Sequence, residues 1–400
     1  MAAVQFVTIM SFMMVMPLGP AFSLGLGIDP AHIGWIAGSY TAAASLSGLA
    51  AALFIDRFDR RTALAAAMGG LILSNLASAA ALGFATMVAA RTLAGLFAGP
   101  AMALAVAIVA DNVPPERRGQ AMGTVMGSLS LASVLGVPAG LELSDLAGWR
   151  AAFLAVAVMG AAIVAGALWL LAPQRAHLAA ALAATDKGLA RLARIAGRPG
   201  APLALALVGV SIMPGFLTLT NLATFATFNL GFPQEHLSVV YFAGGVVSFF
   251  GMRWTGRLVD RFGSSPVTAA TSLALAGLVF ALFYDWALLA LPVLVLAPAY
   301  MLFNTARMVA QNTAVSKTPE PAERAGFMAL VQTVQQGAGA VASVLGALLL
   351  ETAPDGRLLH MERVGLIAIL FCLAGPPLMM ALEARLKRRA APPATAPARP

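Results

Sequence analysis

The stretch Leu53-Phe54-Ile55-Asp56-Arg57-Phe58-Asp59-Arg60-Arg61 has an echo at Gly256-Arg257-Leu258-Val259-Asp260-Arg261-Phe262-Gly263. The shared Asp-Arg-Phe recurs after 204 residues, about half of the 400-residue chain. A second pair of charged breaks keeps nearly the same offset. Pro114-Pro115-Glu116-Arg117-Arg118 answers Pro319-Glu320-Pro321-Ala322-Glu323-Arg324, with Arg118 and Arg324 206 residues apart. Each break separates long apolar runs, so the chain reads as two copies of one unit.

The nature of that unit follows from composition. Hydrophobic residues make up 60% of the chain and charged residues 10%, and the mean hydropathy is +0.85. A soluble protein carries about 25% charged residues, so this chain could not cover a water-facing surface. The same apolar content excludes disorder. A bilayer is the solvent that fits, at about 20 residues per span. Apolar runs fall near 4–27, 34–55, 63–84, 86–110, 120–142, 151–172, 202–228, 236–258, 266–284, 287–313, 325–350 and 364–383. They are long and do not alternate as barrel strands do, which makes them helices. The expected fold is an all-α integral membrane protein. Its twelve transmembrane helices form two pseudo-symmetric six-helix bundles, 1–172 and 202–383. A basic linker, 173–201, joins them, and a basic, Pro/Ala-rich tail, 384–400, follows.

Charge sets the orientation. Lys and Arg number 25 against 17 acids, a net charge of +8. In a soluble protein that excess would suggest nucleic acid. With both termini placed in the cytoplasm, 20 of the 25 cations fall on the cytoplasmic side. Only Arg150, Arg357 and Arg363 face outside, and Arg91 and Arg307 lie within runs. This is the positive-inside pattern. It predicts a multi-pass protein of a bacterial-type inner membrane, with membrane lipids and no nucleic acid as partners. Basic residues three to four apart in the linker predict an amphipathic helix, either on an anionic membrane surface or solvated. The N-terminus has no basic segment or cleavage site and reads as the first span. The single thiol, Cys372, supports neither a disulfide nor a thiolate metal site. No phosphate-binding loop, metal cluster or nucleophile constellation is present, so no cofactor, metal, ATP-driven step or enzymatic activity is expected.

A two-fold repeat of six-helix units suits a secondary transporter with its site at the repeat interface. An Arg inside a span costs at least about 2.5–3.5 kcal/mol to insert, which marks Arg91 and Arg307 as functional candidates. Arg91 lies near the outer end of its run, where snorkelling is the competing reading. Arg307 lies deeper, beside Asn304, Gln311 and Asn312. No acid occupies the middle of a run. The nearest carboxylates, Asp29, Asp111 and Glu142, are the candidates for carrying a proton.

Several motifs stand in a recognisable order. The second copy, 256–263, matches the first eight positions of G-x-L-x-D-R-x-G-R-R and then departs at Ser264. The first copy keeps Asp56, Arg57, Arg60 and Arg61 but has Ala52, Phe54 and Asp59 at three motif positions. The fourth run carries Arg91-x-x-x-Gly95-x-x-x-Gly99. The fifth carries Gly136-Val137-Pro138-Ala139-Gly140, followed by Gly148-Trp149-Arg150-x-x-Phe153. The first run opens with Phe12-Met13-Met14-Val15-Met16-Pro17-Leu18-Gly19-Pro20. In these residues the chain resembles the major facilitator superfamily, and within it the twelve-span drug:proton antiporters and bacterial efflux permeases.

The resemblance implies a monomer that works by alternating access. It implies proton-coupled efflux of small, hydrophobic or drug-like molecules. An uptake symporter, a lipid or metabolite transporter and a non-transporting membrane sensor stay open. It further implies a gating charge cluster of Asp56, Arg57, Arg60 and Asp111, Asp56 and Arg60 meeting if the loop is helical. At the repeat offset of 206 from Asp111 stands Lys317, which suggests that the second half pairs Asp260 with Lys317 beside Arg261. Gly136 and Gly140 would let the fifth and eighth runs approach closely, and Pro138 would kink the helix. The cavity would be lined by runs 1, 4, 7 and 10 and their neighbours. Met13 would supply an adaptable wall, with Tyr241 beside it. Gln332 and Gln335 would point inward, since amides facing lipid are costly. Where relatives often have Asp before the Phe-Met of the first run, this chain has Ser11.

Overall fold

The computed structural model describes residues 1–54, 58–114, 117–172, 188–284, 293–320 and 323–390. In lipid each backbone group must be satisfied within its own segment, and the apolar runs accordingly fold as helices. The first half holds α1 (Ala2–Met13), α2 (Gly19–Leu26), α3 (Ile33–Phe54), α4 (Arg60–Ala79), α5 (Phe84–Asn112), α6 (Arg118–Leu131), α7 (Val137–Ala147) and α8 (Trp149–Leu170). The linker contributes α9 (Gly188–Ala196). The second half holds α10 (Ala201–Phe228), α11 (Leu237–Phe262), α12 (Ser264–Phe283), α13 (Val293–Val315), α14 (Arg324–Leu349) and α15 (Met361–Ala390). Among the described residues, nine helical stretches are long and apolar enough to cross a membrane. The 22-residue α3 and 26-residue α14 pack among them.

Local chemistry explains the breaks. The run expected as one span over 4–27 is two helices, because Pro17 and Pro20 lack backbone donors; Pro20 sits in the first turn of α2, where that loss is harmless. Asp59 caps α4, accepting from the Arg61 amide at 2.9 Å. The helix therefore begins at Arg60, and the expected meeting of Asp56 with Arg60 falls on residues that are not described. Asp56 and Arg57 lie outside the described residues. The third run ends at Ala79, short of residue 84. In the fifth, a single π-type stretch, Ala132–Gly136, separates α6 from α7 just before Pro138. This is a recognised local cause of a helix irregularity.

Of the linker, 173–187 lie outside the described residues, and α9 shows the surroundings of its last part only. Leu192 and Ile195 are buried, with Ile195 in one cluster with Ala201, Phe327 and Leu382. The apolar side thus packs on the second half rather than meeting bilayer or water. A short antiparallel hairpin, β1 (Glu351–Thr352) with β2 (Leu358–Leu359), precedes α15.

Close helix crossings are made by small residues, as expected where lipid offers no hydrophobic drive to association. A Cβ on Gly99 of α5 would lie 2.6 Å from the Gly48 nitrogen of α3. The seam between the halves uses the same device. A Cβ on Gly38 of α3 would lie 2.9 Å from Val344 of α14. The N-terminus, α9 and the α13–α14 connection mark one face of the molecule, the terminal face. Asp29, Gly148, Asn229 and the hairpin mark the opposite, distal face. Asn229 bonds Leu358 there through both its amide groups, at 2.8 and 2.9 Å.

Candidate functional site

Three polar centres occupy this frame. The first lies at the terminal face, where the start of α4 meets the end of α5. Arg60 Nη1 is 2.7 Å from Asp111 Oδ2, with side-chain exposures of 9% and 36%. Two members of the expected charge cluster are thus in contact. Its second-half counterpart is different. Asp260 and Lys317 are both exposed and form no ion pair among the described residues, which corrects the pairing inferred from the repeat offset. Arg261 instead lies over the ring of its neighbour Phe262 at 5.1 Å. The start of α12 is held by Glu383 of α15, which accepts from the Ser264 and Ser265 amides at 2.8 and 3.1 Å and from the Ser265 hydroxyl at 2.8 Å. Gly263 stands where the first copy has the capping Asp59, so α15 supplies the carboxylate that the repeat lost.

The second centre is Arg91, which is wholly buried and does not snorkel. Its Nη2 donates to Ser11 at 3.2 Å, and the Ser11 hydroxyl donates to Asn75 Oδ1 at 3.0 Å. The guanidinium lies 5.0 Å from the Tyr40 ring centre and 5.5 Å from that of Phe153. Aromatic faces thus supply electron density where no acid does. Tyr40 donates to the Thr8 carbonyl at 3.3 Å. Four helices of the first half besides its own therefore fix Arg91: α1, α3, α4 and α8.

The third centre is Arg307 on α13, also wholly buried. Its Nη2 donates to the Ser211 carbonyl at 2.7 Å and to Asn304 Oδ1 at 3.1 Å. Tyr300 donates to the Pro214 carbonyl at 3.1 Å and shares a hydrogen bond with Thr218. The Nε and Nη1 atoms of Arg91 and of Arg307 have no protein acceptor. Arg91 lies seven residues from the distal start of α5, and Arg307 eight from the terminal end of α13. At 1.5 Å per residue each is about 10–12 Å inside its helix end, on opposite sides of the midplane. An aromatic bridge runs between them. Tyr40 stacks on Phe12 at 5.2 Å, and Phe12 stacks on Phe216 of α10 at 5.8 Å. Phe216 adjoins Gly215, whose missing Cβ would lie 3.3 Å from the Asn304 amide.

The remaining expected residues are placed as follows. Met13 is half-buried, its sulfur 3.6 Å from the Ser133 hydroxyl. Tyr241 packs against the core of the first half, and its hydroxyl has no protein partner. Gln335 is half-buried, whereas Gln332 is exposed rather than enclosed. Asp29 accepts from the Ala31 amide at 2.9 Å and from Thr352. Glu142 accepts from Ser238 at 2.5 Å. Each carboxylate proposed for protons thus already holds a partner, Asp111 through Arg60. Gly136 and Gly140 face Met10 of α1, not the eighth run. The close approach of the fifth run to α11 belongs to Gly245, where a Cβ would lie 2.7 Å from the carbonyl oxygen of Ser133 in the π-type stretch.

Among the described residues, the hydrogen bonds joining the two halves lie at the distal face or at mid-depth. They are Thr352–Asp29, Ala31–Thr352 at 3.2 Å, Ser238–Glu142, and Ser45 to the Thr333 carbonyl at 2.9 Å. The halves are therefore clamped at the end away from the termini.

Comparison with known proteins agrees with this architecture. The family model described as Major Facilitator Superfamily matches residues 1–344. The chain is 28% identical over 265 residues to the "Chloramphenicol resistance protein" of Streptomyces lividans, covering 66% of this chain and 67% of that protein. It is 28% identical over 363 residues to the "Transcription regulatory protein OpdE" of Pseudomonas aeruginosa, covering 90% and 84%. Other curated relatives are matched over only 34% and 38% of their own length. A solved bacterial homolog of the human lysosomal transporter Spinster, in an inward-facing and unoccupied conformation, superimposes with a TM-score of 0.74 at 13% identity, covering 98% of this chain and 97% of that one.

Proposed function

Because the chain belongs to the major facilitator superfamily, a family of membrane transporters and not of enzymes, we propose that it is a secondary transporter exporting small, hydrophobic or drug-like molecules in exchange for protons. The observation that carries this reading is the clamp between the halves. Its contacts lie at the distal face and mid-depth, the arrangement expected of one of two alternating states. The small-residue contacts at Gly38 and Gly245 suit a seam that can separate and re-form. With 1–172 and 202–383 as the two moving units and both termini cytoplasmic, this state opens toward the cytoplasm. Likeness to a chloramphenicol resistance protein favours export. Arg60–Asp111 acts as a gating pair, and the polar groups around Arg91 and Arg307 form the interior path. Substrate, protons and lipids are its partners, and it acts as a monomer in the inner membrane.

The test is flux in proteoliposomes carrying an imposed pH gradient and an internal pH dye. Chloramphenicol and other hydrophobic antibiotics should collapse the gradient faster than in protein-free vesicles. Likeness to a protein named as a transcription regulator over 84% of its length supports a second reading, a sensor built on the transporter fold. Absence of flux for every compound under any gradient would leave that reading standing.

A further inference from the structure

A cleft of about 480 Å³ opens at the terminal face between the linker, the α13–α14 connection and the end of α15. It lies away from the three polar centres, and the transport reading does not use it. Four arginines line it, Arg198, Arg385, Arg388 and Arg389, against two acids, Glu320 and Glu323. Two of the four are committed. Arg198 is 2.8 Å from Glu323, whose carboxylate raises the guanidinium's pKa above its ordinary value. Arg389 is 2.9 Å from Glu320 and donates to the Thr318 carbonyl at 3.0 Å. Arg385 and Arg388 are exposed and form no ion pair among the described residues.

Thr318 lies on one wall of the cleft, its hydroxyl buried and closed to solvent. Ile195, Ala201 and Phe327 give the cleft an apolar side. It sits where α10 begins and α15 ends, at the boundary of the apolar helices. Free guanidinium forks match phosphate oxygens, and an apolar wall accepts an acyl chain.

We propose that this cleft is a binding site for a phosphate-bearing anion, with the Arg385 and Arg388 guanidiniums as its donors. The acidic phospholipid headgroup and the free phosphate ester share this chemistry, and the experiment separates them. The full chain is purified in an uncharged detergent and offered phosphatidylglycerol or phosphatidylcholine, and retained lipid is read by native mass spectrometry. Phosphatidylglycerol should be retained in preference. Arg385→Gln with Arg388→Gln should lower its retention at least tenfold. Arg253→Gln with Arg257→Gln removes the same charge from exposed positions at the end of α11 and should leave retention unchanged. Displacement of the lipid by millimolar glycerol phosphate identifies a free ester as the ligand, and its failure identifies the lipid. Equal retention in the Arg385/Arg388 variant and the wild type, or equal loss in the Arg253/Arg257 control, would overturn the site.

Discussion

Gly245→Ala adds one methyl where α11 crosses the π-type stretch Ala132–Gly136 of the fifth run. The added carbon would lie 2.7 Å from the Ser133 carbonyl oxygen and 2.9 Å from the Val134 Cα. Ordinary contact begins near 3.4 Å, so the helices must separate by several tenths of an ångström or more. Overpacking of this kind costs about 1–3 kcal/mol. Residue 245 is inside α11 whichever face is closed, so the gain in helix propensity of Ala over Gly applies equally to both states and cancels. The cost falls only on the state with the distal clamp closed. A bias of about 1–3 kcal/mol shifts a two-state equilibrium roughly 5- to 150-fold. Thr224 reports the shift, being wholly buried between the halves on the distal side, where a Cβ on Gly19 of α2 would meet its hydroxyl. With Cys372 replaced by Ser, a cysteine introduced by Thr224→Cys should react with a hydrophilic maleimide at least fivefold faster in the Gly245→Ala background. An unchanged or slower rate would refute the reasoning, because the contact of α11 with the π-type stretch would then not belong to a clamp that opens.

Two further outcomes follow from the polar centres. Ser11→Ala removes the acceptor of Arg91 Nη2 and the donor to Asn75; it should cost about 1–3 kcal/mol, seen as a lower unfolding temperature in detergent that Ser11→Thr does not reproduce. Arg60→Asp and Asp111→Arg should each lower transport, and the double swap should recover more than half of it, because the 2.7 Å pair tolerates exchange of its ends; a double variant no better than the singles contradicts a gating role.

How much of this was legible in the sequence depends on what each residue's partner was. The helices were legible because length and hydropathy are properties of a single run, and Arg91 and Arg307 were legible because a charge in an apolar run is conspicuous wherever it points. Asn75 carried the same polar signal and could have been found by it. Phe216 could not, since a Phe in an apolar run looks the same on a lipid face and across a seam. Asp260 and Lys317 failed because repeat arithmetic gives register along the chain but not the tilt of helix ends. Glu383 was invisible because it caps a helix 119 residues away. Gly136 and Gly140 were read as close-contact residues against the eighth run, yet a Cβ on either would meet α1 at ordinary contact distance, 3.4 and 3.8 Å; a glycine motif says neither which neighbour it faces nor how near.

The central claim is that the distal clamp and the terminal opening are two ends of one motion. Paired spin labels on a Cys372→Ser background measure both ends. Leu146 and Asp355, exposed at the distal face, form one pair, and Phe58 and Phe262, exposed at the terminal face, form the other. On introducing Gly245→Ala in lipid, the distal distance should lengthen while the terminal distance shortens. Both distances lengthening together, or neither responding, would contradict alternating access in this chain.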